Sequence, residues 1–288
     1  MRADCEHCFG LCCVAPAFSA SADFAIDKPA GHPCPQLRSD FRCGIHHDLR
    51  QHGFRGCAVY DCLGAGQQVS QVTFAGRDWR QDPQAATQMF AVFAIMRQLH
   101  ELLWHLTAAL TMAPARAVHG ELRQALTATE AMTGSSAGAL LDLDIQAHRE
   151  QVNAVLLRAS ELVRAQLPGA KPDYRGADLI GVSLANADLT GANLRGARLI
   201  GADLSRADLT LADLTGADVR AANLCGADLA GSLFLTQSQL DAAEGDTSTK
   251  LPSSLTRPPQ WSPPAGAQGS RRDAPGPRSH RAGRPHHA

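Results

Sequence analysis

Residues 172–236 read PDYRG ADLIG VSLAN ADLTG ANLRG ARLIG ADLSR ADLTL ADLTG ADVRA ANLCG ADLAG SLFLT, thirteen five-residue units without a slip. An apolar centre recurs at every fifth position: Tyr174, Leu179, Leu184, Leu189, Leu194, Leu199, Leu204, Leu209, Leu214, Val219, Leu224, Leu229 and Phe234. Two residues before each centre stands a small residue, Ala in ten of the thirteen units, and Asp or Asn usually lies between them. Gly follows the centre by two positions in eight units, where a corner needs permissive backbone angles. Period five fits neither a helix at 3.6 nor a strand at 2, so the chain turns a corner in every unit. Four corners close a square coil. Its narrow interior accepts one large and one small side chain per side, which leaves Asp, Asn, Arg and Thr outside. At the strand spacing of about 4.8 Å, thirteen units make about three coils, a solenoid roughly 15 Å tall.

This A(D/N)Lxx pattern resembles the pentapeptide-repeat family, and the resemblance implies a right-handed quadrilateral β-helix over 171–236. Some members of that family resemble duplex DNA in shape and charge and protect topoisomerases from quinolones. A DNA-mimic regulator of a topoisomerase is therefore one functional alternative. Size argues against it: at about 3.4 Å per base pair, a 15 Å solenoid imitates four or five pairs. Charge argues the same way, because five arginines dilute the eight aspartates of 172–236.

Outward from the repeat on its C-terminal side, Leu235 to Ala243 loses the period and takes up a short helical pattern. We expect a cap over 237–261, with Leu251, Pro252, Leu255, Pro258 and Trp261 folding back on the open coil end. Past Trp261 there is no Leu, Ile, Val, Met or aromatic residue. The basic tail 262–288 is expected to be disordered and solvated, its five arginines lacking the interleaved aromatics of a nucleic-acid binder. On the N-terminal side, 81–170 reads as helical. Asp82-Pro83 is a helix start, Met89, Val92, Met96, Leu99, Leu103, Leu106 and Leu110 alternate spacings of three and four, and Met112-Ala-Pro114 is a stop. Glu121 to Met132 and Ile145 to Leu167 give two more helices, hence an intramolecular hairpin or three-helix bundle, with a homodimer through these helices as the alternative.

Eight of nine cysteines fall within the first 62 residues, and the ninth, Cys225, takes an outward solenoid position where neighbouring units have Thr or Ser. Phe9 to Ala20 is fairly apolar and ends in small residues, but Asp4, Glu6, a single early Arg2 and four cysteines argue against a secretory leader. In a reducing cytoplasm, clustered cysteines read as metal ligands or redox centres. The candidate ligands are Cys5, Cys8, Cys12, Cys13, Cys34, Cys43, Cys57 and Cys62. Thiolates select zinc, iron or copper(I), and a structural zinc site contributes roughly 10–16 kcal/mol. That matches the whole stability of a typical domain, about 5–15 kcal/mol, in a segment with few aliphatics and many Gly and Pro.

Cys34-Pro-Gln-Leu37 and Cys43-Gly-Ile-His46, with the opening cluster and the terminal Cys57 and Cys62, resemble the CxxCxxCC family of zinc- or iron-chelating domains. The opening departs from that pattern, with three residues between Cys8 and Cys12. Two zinc ions, one four-iron cluster with spare thiols, or four disulfides in an oxidised state all fit the count. His7, His46 and His47 are either substitutes in the shell or surface residues.

Two motifs imitate catalytic ones. Gly134-Ser-Ser136-Ala-Gly138, followed by Asp142, Asp144 and His148, matches G-x-S-x-G but follows a helix where a nucleophile elbow needs a strand. Gly64-Ala-Gly66 lacks the third glycine of a dinucleotide loop. The longest apolar run, Met89 to Met96, is far below the roughly 18 residues of a membrane span, and a net charge of −1 gives no global field for nucleic acid. The sequence thus predicts a multidomain chain: a Cys-rich metal-binding domain (1–80), helices (81–170), the solenoid (171–236), a cap (237–261) and the tail (262–288). Its expected function is a non-enzymatic, cytoplasmic, metal-responsive interaction scaffold with a protein partner, holding zinc or iron. An iron–sulfur redox protein is the further alternative.

Overall fold

The Cys-rich segment has too few aliphatic residues for long elements, and it folds as short turns. In the computed structural model, which describes residues 2–261, it carries α1 (Leu11–Val14), α2 (Arg55–Ala58) and α3 (Ala65–Gln67), the last continued by a π-helical turn, Gln68–Thr73. Leu11, Val14, Ala65, Val69, Phe74 and Trp79 cannot close a core alone. They bury against Met89, Val92, Phe93, Met96 and Leu99 of the next helix.

That helix, α4 (Pro83–Leu110), starts where the sequence places it. The Asp82 side chain accepts the Gln84 and Ala85 N–H groups at 3.0 and 3.1 Å, with Pro83 in the first turn. A 3₁₀ turn, Ala113–Val118, leads into α5 (His119–Thr133), followed by α6 (Ala137–Leu141) and α7 (Ile145–Arg164). The G-x-S-x-G stretch is the link from α5 to α6, and Ser136 serves as the α6 cap, accepting the Ala139 N–H at 3.3 Å. Helix α4 packs against both α5 and α7, which also meet each other. Its second half, Leu102, Leu106 and Ala109, joins Leu122, Val152, Leu156 and Val163 in a core shared with Leu233 and Phe234 of the solenoid. Among the described residues no helix is long and apolar enough to cross a membrane.

From Asp173 onward residues twenty apart pair in parallel. One side stacks Asp173, Asn193, Asp213 and Leu233; the next Asp178, Arg198 and Asp218; the third Ser183, Asp203 and Asn223; the fourth Asp188, Asp208 and Asp228. Leu189 to Leu229 and the alanines at 192 to 227 in register are buried inside, as the repeat demands. Two expectations change. Among the described residues the pairing consists of isolated bridges, with no continuous strand, because each short side turns a corner before a second bridge can form. Asn193 and Asp213, assigned to the outside, point away from the coil yet are buried, because α4 and α7 cover that side. Arg195 pairs with Asp213 at 3.1 Å in this layer, and Arg164 donates to the Gly191 carbonyl at 2.8 Å.

The C-terminal end is closed. Helix α8 (Gln237–Ala242) begins with a reciprocal capping box between Thr236 and Gln239. Glu244 and Lys250 extend the third and fourth ladders by one rung. Trp261 lies buried on the coil end with Leu251 and Leu255, its indole N–H donating to the Ala243 carbonyl at 3.1 Å. The expected tail, 262–288, lies outside the described residues.

Candidate metal centre

Helix α1 is a single turn that carries adjacent cysteines, so Cys12 and Cys13 are held side by side, sulfur to sulfur at 3.9 Å. Cys34 is brought to them by the backbone, its N–H donating to the Cys13 carbonyl at 2.9 Å. Leu37 then pairs antiparallel with Cys43. Gly66 separates Cys8 from Cys62. A Cβ at Gly66 would sit 2.6 Å from the Cys8 sulfur and 3.7 Å from that of Cys62, so only glycine admits this approach.

All eight candidate cysteines are free thiols. Cys8 and Cys34 are buried, Cys12, Cys13, Cys43, Cys57 and Cys62 half-buried, and Cys5 exposed. Burial pushes the Cys8 thiol up to about 12 and that of Cys57 to about 11. The Cys13 side chain, then burial, raise Cys12 well above the usual thiol range. Among the described residues no group of three or more His, Cys, Asp or Glu side chains converges at metal-binding distance. The structure therefore shows neighbouring thiols, not closed ligand sets. By residue type the eight free cysteines are thiophilic donors, and backbone contact brings Cys34 to α1, but no set of them is closed around an ion.

The histidines stay apart. His46 and His47 are exposed and stack edge to face at 5.9 Å, and His7 bonds the Asp4 carboxylate at 2.7 Å. Cys225 is half-buried in the solenoid, where its N–H bonds Asn223.

Sequence reading missed Lys28. It is 3% exposed, and its ammonium donates to the carbonyls of Val14, Pro29 and His32 at 3.1, 3.2 and 3.0 Å. Burial lowers its pKa, while the neighbouring Cys34, Cys13 and Cys57 raise it. A signal existed: in a chain with 27 basic Lys and Arg residues, only Lys28, Lys171 and Lys250 are lysines. A compact ammonium fits a ring of carbonyls that a guanidinium does not.

The family model for pentapeptide repeats matches 175–210, 192–231 and 207–241 with eight copies. YybG of Bacillus subtilis (strain 168) is 60% identical over 266 residues, which cover 91% of this chain and 95% of that protein. The chain belongs to one family with YybG and carries pentapeptide repeats over 175–241. Among solved pentapeptide-repeat structures, Rfr23 from the cyanobacterium Cyanothece 51142 is 35% identical over 27% of this chain and 56% of that one, with a TM-score of 0.18. HetL from Nostoc sp. strain PCC 7120, a protein involved in heterocyst differentiation regulation, is 33% identical over 28% of this chain and 46% of its own, with a TM-score of 0.15. The chain thus spans about half the length of these solved relatives. The match with YybG spans nearly the whole chain, so most of the thiol-rich segment lies within it.

Proposed function

We propose that this pentapeptide-repeat protein is a non-enzymatic, cytoplasmic interaction scaffold whose uncovered solenoid sides meet a protein partner and whose N-terminal thiols hold zinc or iron. The observation that carries this reading is that the thiol-rich segment is built into the same body as the solenoid. Helix α4 runs from the core around Leu11 and Val14 to the core around Leu233 and Phe234. At the C-terminal end of the coil Arg220 pairs with Asp23 at 3.2 Å, and Arg50 donates to the Asp241 carbonyl of α8 at 2.6 Å. A bound ion would supply folding free energy to a segment that lacks its own core. Asp23 and Arg50 would transmit the gain or loss of that order to the cap and to the corner at Arg220.

The test is elemental analysis of untagged full-length protein purified without oxygen, beside Cys5→Ser/Cys8→Ser. Zinc or iron at a fixed ratio, reduced in the variant, is the expected result. Absence of metal with eight freely titratable thiols would remove the metal half of the proposal. A visible absorption band bleached by dithionite would move it to an iron–sulfur centre.

The DNA-mimic alternative gains nothing from the geometry. One side of the solenoid is covered by helices, Asp213 is buried, and Asp178, Asp218 and Asp228 are each paired with Arg198, Arg220 and Lys250. Unchanged gyrase supercoiling at micromolar protein is the expected outcome.

A further inference from the structure

Three of the four ladders of the coil reach a fourth rung, at Leu233, Glu244 and Lys250, whereas the second stops at Asp218 among the described residues. In chain order α8 takes the place of the missing rung, between Leu233 and Glu244. It supplies only half of the bonds that a rung would make. The Gln239 side-chain amide donates to the Leu214 and Ala217 carbonyls, both at 2.9 Å. The N–H groups of Gly216 and Val219 have no partner among the described residues. One layer below, the matching N–H groups of Gly196 and Leu199 donate to the Thr215 and Asp218 carbonyls at 2.9 and 2.8 Å. Val219 is 4% exposed, and an unpaired N–H in such a place costs about as much as a lost hydrogen bond.

Gly216 and Val219 line a cavity of about 320 Å³ between α4, the coil and α8. Glu101 and His105 of α4 form one wall, and Ser238 and Ala242 of α8 another. His105 adds an independent observation: it is 6% exposed, and its Nδ1 has no hydrogen-bond partner among the described residues. Since Gln239 already serves the carbonyls, the unmet demand of the ladder is for acceptors. In the layer below, the same two positions are served by two separate carbonyls three residues apart on one extended segment, and that is the pattern an occupant has to reproduce. Charge narrows the choice of occupant. Around the cavity three acids, Glu101, Asp218 and Asp23, pair with only two bases, Arg97 and Arg220, which leaves one carboxylate in excess and favours basic flanking side chains.

We propose that the gap in the second ladder is a docking site for an extended, basic peptide segment of a protein partner, whose backbone carbonyls complete the rung at Gly216 and Val219. The inference rests on the interaction-scaffold reading above and names the place on the coil and the chemistry of the partner. Recognition is by strand addition, in which main-chain hydrogen bonds hold the segment and alternate side chains select it. Ala217, Val219 and Ala242 leave room for small side chains on the inner side of the segment. Lys or Arg on its outer side meets Glu101 and Asp218. Arg220 holds both Asp218 and Asp23, so the site abuts the thiol-rich segment.

The test follows the backbone amide resonances of full-length ¹⁵N-labelled protein during titration with the capped pentapeptide Ala-Arg-Ala-Arg-Ala, and with Ala-Glu-Ala-Glu-Ala beside it. The basic peptide is expected to shift the Gly216 and Val219 amides saturably, with a dissociation constant of about 1 mM or below. The acidic peptide should bind at least about tenfold more weakly. Glu101→Lys should weaken the basic peptide about fivefold with the melting temperature little changed. Val219→Pro lacks the N–H and should not bind; where it does not fold, slower amide exchange at Gly216 and Val219 of the wild type with peptide present carries the same test. Equal or tighter binding of the acidic peptide overturns the proposal. Shifts confined to the uncovered sides, at Asp203 and Asp208 for example, overturn this site and leave the scaffold reading standing. No shift at any amide also overturns the site, whereas the scaffold reading falls only if a protein partner leaves no footprint on the uncovered sides either.

Discussion

The Asp or Asn before each leucine is chosen for its side-chain oxygen. In ten units that oxygen accepts the backbone N–H two residues on, from Asp173 with Arg175 at 3.1 Å to Asp228 with Ala230 at 3.0 Å. This is an Asx turn at the corner, which Asn makes as well as Asp. Hydrogen bonds from residue 190 lower the Asp188 pKa, and those from residue 205 lower that of Asp203. Asp208→Asn is therefore expected to melt with the wild type, Asp208→Ala slightly below it, and Leu204→Asp far below. Equal melting of Asp208→Asn and Leu204→Asp would refute the inward assignment of Leu204. The corner itself yields another prediction. All twelve corners from Gly176 to Gly231 have positive φ, and Asn186, Arg206, Leu211 and Ala221 adopt it without being glycine. Ala221 is exposed at φ 53°, so Ala221→Gly should stabilise by about 1 kcal/mol in urea titration. Leu211→Gly should not, because Leu211 packs against the core that holds Phe234. The period made the interior legible at this scale. It could not show which side the helices cover, since Asn193 and Asp213 look like any other unit, and the only hints were the large apolar Leu211 and Leu233 in columns otherwise polar or small.

At the scale of the element, α4 was legible in its ends and its stripe but not in its depth. Asp82-Pro83 and Met112 bound it because caps and stops are local chemistry. What sequence could not supply is that both halves are buried by unlike partners, so His100 and His105 are buried too. The His105 Nδ1 has no hydrogen-bond partner, and its ring lies edge-on to Phe234 at 5.5 Å. Burial, aided by Arg195 and Arg149 and opposed by Asp213, lowers its pKa to about 4. A histidine neutral in the fold but free to charge when unfolded makes the unfolded chain bind the extra proton. Stability is then fully present above the unfolded value of about 6.5 and is lost as pH falls toward 4. The contribution at pH 4 is about 3 kcal/mol. Burial lowers His100 and His148 in the same direction. His105→Leu should remove that share, so the wild-type and variant unfolding free energies should diverge from pH 6.5 down to pH 4. Parallel pH profiles would show that His105 is solvated.

On the scale of the whole molecule, the three cores differ in what holds them. The coil closes over twenty residues and repeats the same Leu and Ala contacts, so it needs little from elsewhere. Its C-terminal end does depend on the cap: Gly245 lies against the Trp261 ring, where a Cβ would come within 2.5 Å. Trp261→Ala should cost about 3–5 kcal/mol and expose a pairing edge, read as a lower melting temperature with concentration-dependent aggregation. The thiol-rich segment stood out in the sequence as a run of candidate ligands by residue type, whereas which cysteines come near one another depends on contacts that spacing does not show, such as that of Cys34 with Cys13. That segment touches the coil through Asp23 and Arg50 at the capped end and through α4 along the covered side. Removing metal with a chelator should therefore raise deuterium uptake across 5–62, in α8 and at the Arg220 corner, while the inner coil from 192 to 217 stays protected. Uptake confined to 5–62 would mean that the solenoid does not sense the thiols, and the metal-responsive part of the scaffold would fall even with metal bound. Uniform uptake through 192–217 would instead mean that the coil has no stability of its own, contrary to its closed twenty-residue contacts.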